Sequence, residues 1–70
     1  MTANELLRIL KQHGCLKLRQ KGSHVIVGCG KCRASIPVHP GEDLGRGLLG
    51  RLERDLEPCL GKEWLKNQQD

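Results

Sequence analysis

Apolar positions recur at helical spacing through the first dozen residues, where Leu6, Ile9 and Leu10 make a stripe that Leu7 widens. Thr2 and Glu5 have the T-x-x-E spacing of a capping box, in which each side chain satisfies a backbone donor at the helix start. The pattern predicts a first helix that Gly14 ends in a left-handed conformation. From Cys15 the period changes to alternation: Leu16 and Leu18 interleave with Lys17 and Arg19, as in a half-buried strand. Gln20-Lys21-Gly22-Ser23 is a turn-like break, His24-Val25-Ile26-Val27 is β-rich, and Gly28-Cys29-Gly30-Lys31-Cys32 is a second turn. Alternation resumes from Arg33 to Val38, with Ala34, Ile36 and Val38 on one face, and Pro37 places that strand at an edge or a bulge. After His39-Pro40-Gly41 a second helix is expected, with Glu42-Asp43 near its start and Leu48, Leu49, Leu52 and Leu56 on its core stripe. The glycines at 45, 47 and 50 weaken its beginning, Pro58 ends or kinks it, and Leu60, Trp64 and Leu65 fall in a short final helical turn before a polar tail. The order α-β-β-β-α predicts an α+β fold, a three-stranded antiparallel meander with helices on one face.

Strand alternation then decides what the open face of the sheet carries. If Leu16, Leu18, Ala34, Ile36 and Val38 turn toward the helices, then Lys17, Arg19, Arg33, Ser35 and His39 turn away. With Val25 and Val27 inward, His24 and Ile26 join them, and a face of that composition suits phosphate contact.

Size and charge sharpen this picture. The 70 residues, with one Trp and no Phe or Tyr, allow a single domain over 1–70 with a thin aliphatic core. A chain this short buries roughly 60% of its unfolded surface, which excludes a large enzyme with a deep substrate cavity. The net charge of +4 is uneven: residues 1–40 hold seven Lys/Arg against one acid, and residues 41–70 five against seven. A basic half points to a polyanion or a dipolar docking surface. No apolar run approaches the ~20 residues of a membrane span, and no signal-peptide core is visible, so a cytoplasmic protein without membrane association is expected. In that compartment the four cysteines are expected as free thiols. Cys29-Gly30-Lys31-Cys32 is half a zinc knuckle, and Cys15, Cys59, His13 or His39 would have to complete it. Two thiols on a hairpin, with no metal and no other cofactor, is the expectation.

The stretch Arg19-Gln20-Lys21-Gly22-Ser23-His24 resembles the R-Q-x-G-S-H signature of HicA-type toxins, the small mRNA interferases of bacterial type II toxin–antitoxin pairs. Ile36-Pro37-Val38-His39 is similar to the V-P-x-H segment of that family, and Gly47-Leu48-Leu49 to its G-T-L helix start, with Leu48 where the family often has Thr. The resemblance covers roughly residues 4–56, leaving 58–70 as a short C-terminal helix and polar tail. It implies a fold like double-stranded-RNA-binding domains, metal-independent cleavage of mRNA, and neutralisation by a HicB-like antitoxin in a hetero-complex, from a free toxin that is a monomer. It also implies that His24 is the catalytic histidine. Lys17, Arg19, Lys21, Gly22, Ser23 and Arg33 are the expected RNA contacts.

One histidine suffices for a plausible reaction. RNA carries its own nucleophile, the 2′-OH, and imidazole takes or gives protons near neutral pH. Neighbouring cations would stabilise charge on the phosphorane oxygens. Read without the motif, His24 is an ordinary strand histidine, Gly22 serves turn geometry, and the cations form a solvated face. Ser23 either bonds a phosphate or caps the turn. His39 reads as structural, His13 as a partner of the helix-terminal carbonyls, and the apolar Ile26 and Trp64 as hints of a partner surface. Two other functions fit the chain: a non-catalytic RNA-binding module of the same fold, and a zinc-stabilised interaction protein centred on Cys29 and Cys32.

Overall fold

The computed structural model describes residues 1–66. Helix α1 (Ala3–Gln12) is followed by strands β1 (Leu16–Lys21), β2 (His24–Cys29) and β3 (Cys32–Pro37) and by helix α2 (Arg46–Leu60). The sheet is an antiparallel meander in the order β1-β2-β3, so the α-β-β-β-α topology is the one the apolar periods predict.

The capping box starts α1 as expected. The Glu5 N–H donates to the Thr2 hydroxyl at 3.2 Å, and the Thr2 N–H donates to the Glu5 carboxylate at 3.1 Å. The backbone bond from Thr2, and after it the Thr2 hydroxyl, hold the Glu5 carboxyl below its usual pKa. Ala3, Leu6 and Leu10 form the buried stripe of α1, and Gly14 turns the chain out with φ +85°. These residues meet Val25, Val27, Ala34 and Ile36 from the sheet and Leu52 and Leu56 from α2 in one aliphatic core.

Strand β1 departs from the expected alternation. Leu16 and Leu18 are 68% and 48% exposed rather than inward. Cys15 is the inward residue, buried against Cys29, and period-two geometry then sends Leu16 outward, opposite Gly28. The register shifts between Lys17 and Arg19, a bulge in which Leu18 is the unpaired residue. Leu18 lies over Gly28, where an added Cβ would sit 3.0 Å from its Cδ1 and would have to push the half-exposed leucine side chain aside. Lys17 pairs with Val27 on the helix-side face, and its Nζ donates to Gln20 Oε1 at 3.2 Å.

The cysteines are also not free. Cys15–Cys29 and Cys32–Cys59 are disulfides, with Cα separations of 4.4 and 6.2 Å. Cys15 and Cys29 meet at the spacing of a non-hydrogen-bonded cross-strand pair, where side chains lie closest. Cys32 opens β3 beneath the last turn of α2, which delivers Cys59.

Helix α2 starts later than the acids at 42 and 43 suggest, with Gly45 as its N-cap. Asp43 instead forms a bridge with Thr2 and an ion pair with the Met1 amine at 3.5 Å, and the Leu44 N–H donates to the Met1 carbonyl at 2.7 Å. Pro58 does not end the helix, which continues to Leu60. Leu48 and Leu49 only flank the core that Leu52 and Leu56 enter. Beyond Gly61 the chain turns over residues 62–65 and winds as a 3₁₀ helix at Lys66; the rest of the expected C-terminal helix and polar tail, from residue 67, lies outside the described residues. Trp64 is not a surface residue. It is 2% exposed, its indole N–H donates to the Glu53 carbonyl at 3.0 Å, and it meets the His13 ring edge-on at 5.8 Å. The imidazole of His13 thus packs on Trp64, while the carbonyls of Ile9 and Leu10 are served by the His13 backbone N–H. No helix among the described residues is long and apolar enough to cross a membrane.

Candidate nucleic-acid interface

The first hairpin positions the site. Gly22 and Ser23 are its two loop residues, with φ +60° at Gly22 and no positive φ at Ser23. That pattern matches a type II′ turn, in which glycine takes the first central place. The tight loop puts His24 first in the central strand, paired with Lys21 on one side and Pro37 on the other. The Val38 N–H donates to the Ser23 carbonyl at 2.6 Å, which draws the end of β3 against the same turn.

With Val25, Val27 and Cys29 buried, the other residues of β2 face away from the helices, and register extends that face across the sheet. Its three rows are Lys21, His24 and Pro37; then Arg19, Ile26 and Ser35; then Leu16, Gly28 and Arg33. His24, Lys21, Arg19, Arg33 and Ser35 are exposed, and no carboxylate stands in these rows. Of the residues expected on the open face, Arg19, Arg33, Ser35, His24 and Ile26 are brought together. Lys17 is not, because the bulge puts it on the opposite side. His39 is exposed beyond the end of β3.

A groove of about 290 Å³ opens beside His24. Its sheet wall is His24, Ser35 and Pro37, and its helix wall is Leu48, Arg51, Leu52 and Asp55. Arg51 is 75% exposed and 3.8 Å from Asp55, an i,i+4 pair too solvated to hold its guanidinium firmly. The groove therefore joins an imidazole, a hydroxyl and a guanidinium, a set able to move a proton and to bind a phosphate. Sequence reasoning misses Arg51 because it lies in the acidic half of the chain. Its position between Leu48 and Leu52 on the core-facing stripe is the signal that could find it. A second groove of similar volume, between α1 and β1, is apolar and distant from His24.

The fold and its basic sheet face define the class: an α+β domain built like double-stranded-RNA-binding domains. The family model described as HicA toxin of bacterial toxin-antitoxin matches residues 3–57, and the chain belongs to that family. No curated protein and no solved structure gives a significant match.

Proposed function

We propose that the chain is the toxin of a type II toxin–antitoxin pair, an endoribonuclease that cleaves mRNA with His24 and is neutralised by a HicB-like antitoxin. The observation that carries this reading is the place of His24: exposed at the mouth of a groove, beside Lys21, in a chain of the HicA family. RNA would lie along the open face, with Arg19, Lys21 and Arg33 on its phosphates and Gly22 and Ser23 approaching the backbone at the turn. Lys17, on the other face, takes no part in that set. Arg51 is added as a phosphate contact from the helix wall.

In the reaction, the His24 imidazole accepts the 2′-hydroxyl proton as the 2′-oxygen attacks the adjacent phosphorus. The P–O5′ bond breaks, leaving a 2′,3′-cyclic phosphate, and the 5′-oxygen takes a proton from water. Lys21 and Arg51 stabilise the charge that builds on the non-bridging oxygens. The chemistry uses no metal, and DNA, lacking the 2′-hydroxyl, is not a substrate.

The test is cleavage of labelled single-stranded RNA in chelator. The chain is expected to cut, and His24→Ala to lose about 10²- to 10⁴-fold in rate, the usual contribution of a general base. If neither protein cuts and both bind RNA with the same salt dependence, the chain is a binding module and His24 a contact.

A further inference from the structure

All four cysteines meet at one end of the molecule, around the turn Gly30-Lys31. Cys29 and Cys32 face each other in register at the mouth of that turn. Cys15 lies across from Cys29 and Cys59 across from Cys32, so the hairpin pair joins the two bonded pairs into one cluster. Cys15 and Cys29 are buried, Cys32 is half-buried against the core, and Cys59 is exposed.

Oxidised, these sulfurs are no metal ligands, and among the described residues no group of His, Cys, Asp and Glu is placed to hold a metal ion. Disulfides persist in oxidising compartments, however, whereas the sequence leads to the expectation of a reducing one. There each disulfide takes two electrons and two protons from two molecules of a small thiol reductant, which leave as their own disulfide. The four cysteine thiols that result lie on segments that the fold itself brings to one end, so that a metal ion can gather them as the chain folds. The β1–β2 and β2–β3 ladders fix Cys29 and Cys32 and the start of β1, and Leu52 and Leu56 pack α2 onto the sheet.

Four thiolates, two of them from a C-x2-C hairpin turn, are the donor set of a closed tetrahedral zinc site with Zn–S distances of about 2.3 Å. Lys31, in the turn between Cys29 and Cys32, places positive charge near a complex that carries a net charge of −2. We propose that the reduced chain binds one zinc ion through Cys15, Cys29, Cys32 and Cys59. Binding releases the four thiol protons and ties β1, the second hairpin and α2 together as the disulfides do. The site is structural, since all four positions are filled by protein and His24 stands at the other end of β2, about 16 Å away at the rise of a strand.

The full chain, reduced with a phosphine and freed of metal, is titrated with Co²⁺ and then Zn²⁺. One equivalent of cobalt is expected to bring up the sulfur-to-cobalt charge-transfer bands and strong visible bands of a tetrahedral tetrathiolate, and one equivalent of zinc to bleach them. Cys29→Ser and Cys59→Ser are each expected to weaken zinc binding about tenfold or more, since removing a ligand costs at least as much as removing a group that only orients one. Cys59 is exposed, so its variant keeps the comparison valid where loss of the buried Cys29 thiol unfolds the chain. A chain with four titratable thiols and no cobalt bands would overturn the proposal. So would zinc binding unchanged in both variants. The readout involves no RNA, so it stands or falls apart from the ribonuclease reading.

Discussion

At the scale of single residues, one extra position in β1 decides which cations can meet RNA. Without the bulge at Leu18, Lys17 would stand in line with Arg19; with it, Lys17 pairs with Val27 and Arg19 with Ile26. The two faces therefore give different expectations for side chains of the same charge on the same strand. Lys21→Ala removes a cation next to His24 and is expected to flatten the salt dependence of RNA binding, by about 0.7 in the slope of log K against log salt for each phosphate no longer neutralised. Lys17→Ala removes the same charge from the other face and is expected to leave the slope unchanged. Binding isotherms at several salt concentrations for the two variants make the comparison. Equal slopes in both would mean that RNA does not distinguish the faces, and the assignment of the open face would fail.

At the scale of elements, what is legible in the sequence is what local pattern controls. The capping box of α1, the glycine turns of both hairpins and the inward valines of β2 follow from neighbours within a few positions. So do Ala34 and Ile36 on β3. The phase of β1 is not legible, because it is set by a partner: Cys15 faces Cys29, and the apolar Leu16 and Leu18 are turned outward as a consequence. His24 falls on the expected face because it belongs to β2, the strand whose phase the core fixes from both sides. Trp64 escapes a sequence reading because a lone aromatic in a polar stretch carries no period, and its burial depends on His13 and the Glu53 carbonyl. Helix α2 keeps a weakness the sequence does announce. Gly50 lies inside the helix with nothing within 4 Å of the place a Cβ would occupy. Gly50→Ala should raise stability by about 0.5–1 kcal/mol, the difference in backbone entropy between the two residues in a helix interior. Urea denaturation checks this: a midpoint that does not rise would mean that the helix start around Gly45 and Gly47 is frayed and contributes little.

At the scale of the whole molecule, the question is what holds so small a core closed. The buried set is aliphatic apart from Trp64 and the cysteines, and a domain of this size draws only about 3–5 kcal/mol from such a core. The two disulfides span 14 and 27 residues of chain and do not overlap, so their effects on the unfolded state are close to independent. Chain-entropy arguments put them at about 3 and about 3.5 kcal/mol. Their sum is comparable to the entire stability of the domain, and both act at the same end, away from His24. Reduction in the presence of chelator is therefore expected to remove most of the stability and to leave a chain that melts at a much lower urea concentration, or has no cooperative transition at all. The open face would be lost with it, because its rows exist only while the meander is folded, and RNA cleavage should fall in parallel with the circular dichroism signal. If the reduced, metal-free chain instead unfolds at the same urea concentration as the oxidised one, the aliphatic core is sufficient by itself. The cysteine cluster would then have to be explained by something other than stability.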